Sequence, residues 1–364
     1  MSGLDEALIL TEGRYLTTDG KTAHGLVRYS KRFKIVGLID STLAGKDAGE
    51  VLDGIRRGIP IYASLGEALH ENPNAKWLII GVATPGGKLP ENYRKIVENA
   101  IKNGLGVVNG LHEFLSDDPY FKHLARRYGV EIVDVRKIFY NTRIPFTGKI
   151  AEVKAVKVAV LGTDAAIGKR TVAIMLHEAF KELGLKSEFI AMGQTGWMQG
   201  FRYAIVTDSI IDDFVPGAIE DVFYRAWVEE RPDVIVTHGE GSLLHPAFPG
   251  GFDLIAAARP DFIVLQHAPA RKTFDDFPEF RIPPLEVYIQ LIELLSGKKP
   301  VAITINSSGL SEDEALEWAR RIETETGIMT RVPFLQGVGD IARLILRLSK
   351  REVTGREPAR AEVL

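Results

Sequence analysis

Short apolar runs alternate along this chain with longer stretches in which apolar residues recur every three or four positions. Residues 7–10, 34–39, 77–82, 106–109 and 131–134 have the length of buried strands. Helical periodicity lies between most of them, for example at 93–103, where Ile96, Val97, Ala100 and Ile101 fall on one face. Residues 143–155 break the pattern and contain Pro145 and Gly148, so they read as a linker. A second series starts with the run 156–161 and continues through 188–192, 234–237, 262–266 and 301–306. Strand and helix in alternation predict α/β architecture with parallel sheets covered on both faces. The expected organisation is two doubly wound domains, 1–148 and 149–350, followed by a mobile charged tail, 351–364.

Composition narrows the chemistry. A chain of 364 residues has room for two folded cores at roughly 100 to 200 residues per domain. Lys and Arg number 45 against 48 Asp and Glu, a formal charge of -3, so nothing asks for nucleic acid or an anionic membrane as partner. A small molecule is expected instead. The absence of cysteine removes disulfides, thiolate metal sites and cysteine nucleophiles. The N-terminus shows no secretory pattern, and the longest apolar runs, such as 77–83, fall far short of the ~20 residues of a membrane helix. A cytoplasmic protein is expected.

One motif stands out. Between a strand and a helix comes Gly162-Thr163-Asp164-Ala165-Ala166-Ile167-Gly168-Lys169-Arg170-Thr171. Small residues let consecutive amides point at an anion, a lysine adds charge, and the following helix N-terminus is electropositive. The segment 163–171 therefore predicts a phosphate-binding loop, a P-loop, for a phosphate-bearing cofactor. Two positions depart from the usual pattern: Thr163 replaces the first glycine, and Arg170 follows the lysine where a hydroxyl is usual, with Thr171 next as the available hydroxyl.

Other candidates sit at predicted strand ends, where ligands bind in such sheets. Glu240 lies among glycines, suited to act as general base or metal ligand. His238, His245 and His267 share that edge; His245, between a glycine-rich loop and Pro246, is the preferred catalytic partner of Glu240. Gln194, Thr195 and Ser242 offer neutral hydrogen bonds in glycine-flanked loops, and Asn306 ends a strand as base reader or turn former. In the first domain Asp40 stands where a dinucleotide fold places its ribose acid, without the usual glycine triplet at 12–16, and 84–88 is a glycine-rich loop ending on Lys88.

Residues 162–169 resemble the phosphate loop of dethiobiotin synthetases and MinD-type ATPases. That resemblance implies that Asp164 helps hold magnesium and that Glu240, within Thr237-His238-Gly239-Glu240-Gly241-Ser242, faces the same metal. Gly193-Gln194-Thr195-Gly196 resembles their substrate loop, although the lysine they carry just before it is replaced by Ala191 or Met192. Together with residues 213–218, His245-Pro246 and residues 21–26, these motifs resemble a two-domain family over nearly the whole chain. That family joins a Rossmann-like N-terminal domain to a dethiobiotin-synthetase-like P-loop domain and includes DgcN-type D-glutamate N-acetyltransferases.

The resemblance implies a transferase that moves acetyl from acetyl-CoA to an acidic amino acid. Residues 163–171 would hold the cofactor, and Gln194, Thr195, Ser242 and Arg271 would contact substrate. Arg202 and Lys272 are further cations for an acidic substrate. The alternative is a ligase or kinase using ATP with magnesium, the metal held by Asp164, Thr171 and Glu240; a third reading is a nucleotide-binding protein without turnover. Extended α/β enzymes of this kind are commonly symmetric homo-oligomers, and one is expected here.

Overall fold

The computed structural model describes residues 3–353, so the tail falls outside the described residues from 354 onward. The chain divides into two compact units, Met1–Pro145 with Ala191–Ala218, and Phe146–Ile190 with the chain from Ile219 onward.

The first unit holds a parallel sheet of β1 (Glu6–Leu10), β2 (Lys34–Ile39), β3 (Ile61–Tyr62), β4 (Trp77–Ile80), β5 (Gly106–Asn109) and β6 (Ile132–Asp134). Its order is β3-β2-β1-β4-β5-β6, which is the dinucleotide-binding arrangement with its switch point between β1 and β4. The apolar runs are continuous because both faces are covered. Along β1, Leu8 and Leu10 enter the core on one side while Ala7 and Ile9 enter the core on the other. The helix Glu91–Lys102 buries Val97, Ala100 and Ile101 of the face its periodicity predicts, together with Tyr93, while Ile96 is only partly buried. Local signals also set the helix Pro119–Tyr128. The Asp118 carboxylate accepts from the Tyr120 and Phe121 amides, Pro119 sits at the first position, and Gly129 closes the C-terminus with positive φ.

The larger sheet contains β7 (Val156–Gly162), β8 (Ser187–Met192), β9 (Tyr203–Ile205), β10 (Val234–His238), β11 (Phe262–His267), β14 (Ala302–Ile305) and β15 (Met329–Arg331). A hairpin of β12 (Thr273–Phe274) and β13 (Phe277–Arg281) stands apart. The order is β15-β14-β11-β7-β10-β8-β9, and every pairing from β15 to β8 is parallel. The central strand β7 therefore delivers the phosphate loop between the ends of β10 and β11. Register places His238 beside Val160 and Gln266 beside Gly162.

The stretch 143–155, read as a linker, is anchored. Glu220 is buried and accepts from the Thr147 amide at 2.6 Å, the Thr147 hydroxyl at 2.9 Å and the Ile150 amide at 3.1 Å. Burial alone would push its carboxyl up, but these donors hold it below the ordinary glutamate value. Strands β3, β9 and β15, with two to three residues each, are too short for periodicity to reveal.

Candidate functional site

The loop is built by its own backbone and held by distant polar side chains. Ala166 and Gly168 both have positive φ, 50° and 93°, and Gly168 is the N-cap of the helix Lys169–Glu182. Strand β11 fastens the start, the Thr163 amide donating to the Gln266 carbonyl at 3.0 Å. The Ile167 carbonyl accepts from the Gln266 side-chain amide at 3.0 Å and the Asn306 side-chain amide at 2.8 Å. Asn306 thus holds the loop. The Lys169 ammonium donates to the Asp164 carbonyl at 2.6 Å, and its stem runs so close over Gly162 that a Cβ there would lie 2.8 Å from it. A side chain at 162 would displace the lysine.

Asp164 is fully buried. Its Oδ1 accepts from the Ala165 amide at 2.7 Å and its Oδ2 from Arg271 Nη1 at 2.8 Å, while the Asp275 amide approaches both oxygens at 3.2 to 3.3 Å. Arg271, named from sequence as a substrate contact, is therefore joined to the phosphate loop. The residue after the lysine, Arg170, has its Nε buried with no hydrogen-bond partner. Burial pulls its guanidinium down to about 10, with the charge of half-buried Glu240 acting the other way. Thr171 is half-buried on the same helix.

The loop carrying Glu240 closes tightly. Ser242 and Gly250 amides both donate to the Phe248 carbonyl, at 3.0 and 2.8 Å. Ser242 Oγ and Tyr288 Oη are buried side by side, and the Ser242 hydroxyl acts on the Tyr288 hydroxyl as its hydrogen-bonding neighbour. The His245 ring is enclosed by Phe248, Phe274 and Phe277 at centroid distances of 4.9, 5.0 and 5.6 Å. His245 Nδ1 accepts from the Ala247 and Phe248 amides at 3.2 and 3.0 Å, which assigns the proton of the neutral ring to Nε2. That nitrogen faces the Asp275 carbonyl at 3.3 Å and Asp164 at 3.7 Å.

All three candidate histidines are held toward the neutral form. Burial dominates for each; Arg170 adds to it at His238, which stacks on Phe189, and Lys272 at His267. His267, whose Nδ1 lies 3.1 Å from the Thr163 hydroxyl, is pushed down to about 4. A histidine that stays neutral in the folded state costs stability wherever the unfolded chain takes up the proton first. Stability is therefore full above pH 6.5 and falls as pH drops from 6.5 towards 4, His267 contributing about 3 kcal/mol across that window. Urea unfolding at pH 7.5 and pH 5 should show the loss, smaller in His267→Asn; equal stability at both pH values would contradict it.

Gln194 and Thr195 lie in the first unit, on the short helix Gln194–Gln199. There Gln194 Oε1 accepts from Arg136 at 3.2 Å and the Thr195 hydroxyl meets that of Thr22 at 3.1 Å. Arg136 is fixed in turn by Asp208, at 2.6 and 3.1 Å. The 21–26 motif is the helix Lys21–Arg28 that presents Thr22. Arg202 lies over the Tyr203 ring and Lys272 over that of Trp318. At the β1 and β2 ends, the Asp40 carboxylate takes the Tyr15 amide at 3.2 Å and the Thr42 hydroxyl at 2.6 Å, so the ribose-acid position is used internally. Thr84 likewise closes its own loop, its hydroxyl donating to the Lys88 carbonyl at 2.6 Å.

Sequence reading missed Gln266, Asp275, Arg136 and Asp208. Gln266 carried a signal, being a polar residue inside an otherwise apolar strand, since such a residue must have a buried partner. Asp275 and the Arg136–Asp208 pair carried none. Among the described residues no group of three or more His, Cys, Asp or Glu could hold a metal ion, and no helix is long and apolar enough to cross a membrane.

Comparison with known proteins agrees with this fold. A family profile described as "Domain of unknown function (DUF1611_C) P-loop domain" matches residues 144–342, and one described as "Domain of unknown function (DUF1611_N) Rossmann-like domain" matches residues 41–138. A D-glutamate N-acetyltransferase of Tritonibacter scottomollicae is 29% identical over 271 residues, 73% of this chain and 79% of the relative. One from Pseudoalteromonas sp is 30% identical over 280 residues, 73% of this chain and 80% of the relative. The crystal structure of a DUF1611 family protein from Anabaena variabilis superposes with a TM-score of 0.85 at 31% identity, covering 94% of this chain and 99% of that one.

Proposed function

The chain belongs to the DUF1611 family, and from that premise we propose that it is an N-acetyltransferase that moves acetyl from acetyl-CoA onto the amine of an acidic amino acid, D-glutamate first among them. The observation that carries the reading is a phosphate loop with an arginine, Arg170, after its lysine, in a chain whose relatives bear that activity in their names. Coenzyme A presents a 3′-phosphate and a diphosphate, and loop amides with Lys169 and Arg170 suit such anions.

The chemistry needs a base and oxyanion donors but no phosphoryl transfer. The substrate amine nitrogen bonds to the thioester carbonyl carbon, the carbon–sulfur bond breaks, and the proton lost by the amine leaves with coenzyme A as its thiol. Glu240 is the proposed carrier of that proton. The assignment favours Glu240 over His245, whose accepting nitrogen already serves two backbone amides. Buried Ser242 Oγ and Tyr288 Oη are the candidate neutral contacts to substrate.

Incubation with acetyl-CoA and a panel of D- and L-amino acids should release free thiol with an acidic amino acid. No thiol from any of them, together with ADP formed from ATP and magnesium, would overturn the reading. Glu240→Gln should lower kcat by about 100-fold with little change in the acetyl-CoA KM, measured by thiol release. An unchanged kcat would remove Glu240 from the proton path.

A further inference from the structure

We propose that this phosphate loop binds its ligand without a divalent metal, because Arg170 stands where the metal-holding hydroxyl follows the loop lysine and Arg271 grips the loop aspartate. The proposal rests on the reading of a phosphate-bearing cofactor above and deepens it by naming what neutralises the phosphates. In the fold a metal is held by the hydroxyl that follows the loop lysine and by acidic residues at neighbouring strand ends. Here the hydroxyl is replaced, and the two acids, which are retained, face cations.

The hydroxyl position is Arg170. Thr171 does not restore it, since at 3.6 residues per turn it points about 100° further round the helix. The first acid, Asp164, already accepts from three donors. A carboxylate accepts about four hydrogen bonds, and Asp164 already receives Ala165 N, Arg271 Nη1 and Asp275 N, with His245 Nε2 at 3.7 Å. For a metal to reach it, Arg271 would have to give up both Asp164 and the Ala165 carbonyl, to which it donates at 3.0 Å. The second acid, Glu240, places its charge on Arg170. Thus the loop carboxylate is paired with a guanidinium, and a divalent ion would enter against the charges of Lys169, Arg170 and Arg271.

The replacement is chemically sufficient for binding. A guanidinium presents a rigid fork of donors that pairs bidentately with phosphate oxygens and keeps its charge when desolvated. Arg170 has a buried Nε with no protein partner. A magnesium ion earns its place in phosphoryl transfer by bridging β- and γ-oxygens during displacement, a task that acetyl transfer does not have.

Calorimetric titration of the full chain with coenzyme A and, separately, with ATP tests this, each in EDTA and in excess magnesium. The expected result is coenzyme A binding with the same Kd, within about twofold, in both conditions. Arg170→Thr, which restores the hydroxyl, should weaken binding in EDTA by about tenfold and recover part of it with magnesium, whereas Arg170→Lys should weaken it without gaining metal dependence. Coenzyme A affinity at least about tenfold lower in EDTA would overturn the proposal while leaving the acetyltransferase reading in place. ATP binding equally well in EDTA with no binding of coenzyme A would do the reverse, supporting the metal-free site and removing acetyl-CoA as donor. No binding of either ligand in either condition would overturn the proposal.

Discussion

Lys169→Ala is expected to weaken coenzyme A binding by about 100-fold, or about 2.7 kcal/mol, while the protein remains folded. The loop folds this ammonium over its own backbone. It reaches the Asp164 carbonyl at 2.6 Å with its stem packed on Gly162, and the residue is only 6% exposed. Water cannot stand in for it easily in so enclosed a place, and charge-assisted bonds to phosphate are about twice as strong as neutral ones. The fold should tolerate the change, because the Gln266 and Asn306 side chains also hold the loop. Calorimetry gives the affinity and thermal unfolding gives the control. A loss below about threefold would mean that the ligand phosphates are held elsewhere.

The second large effect is on structure. Gly241→Ala is expected to destabilise the protein by about 3 kcal/mol or more and to abolish thiol release. Gly241 has φ of 59°, and a Cβ there would stand 1.9 Å from the Phe248 carbonyl oxygen, a backbone atom that already accepts from Ser242 and Gly250. The loop can only open, moving Glu240, Ser242 and His245 together. Gly13→Ala is the matching control, since Gly13 also has positive φ, 71°, but nothing within 4 Å of its Cβ position. It should lose only about 1 kcal/mol, the cost of a left-handed alanine. Equal losses at the two sites would show that backbone conformation, and not the contact with Phe248, limits the loop.

The same division between local and distant causes explains what could be read in advance. Strand β7, the loop and the helix Lys169–Glu182 are contiguous, so a local pattern of small residues, lysine and helix start was enough to find them. The interior strands were legible because both faces are buried, which makes each an uninterrupted apolar run. Edge strands such as β3, of two residues, leave no such trace. The roles of single residues were harder. Arg271 reads as a free cation in sequence, but 107 positions separate it from Asp164, which it grips. Asn306 lies 139 positions from the carbonyl it supports. His245 looked like a base because histidine titrates near neutral pH; three aromatic rings and two backbone amides decide otherwise for its Nδ1.

By itself the sequence determined two parallel α/β sheets, the phosphate loop between β7 and its helix, and the substitution of Arg170 for a hydroxyl. These follow from hydrophobic period, glycine placement and residue identity, all of which act over a few neighbouring positions. Only the tertiary structure decided that Asp164 is satisfied by Arg271 and Asp275, that Asp40 is spent on Tyr15 and Thr42, and that Gln194 and Thr195 serve Arg136 and Thr22. Which charges and hydrogen-bonding groups remain available to a ligand depends on pairings across long sequence separations. No local pattern encodes them.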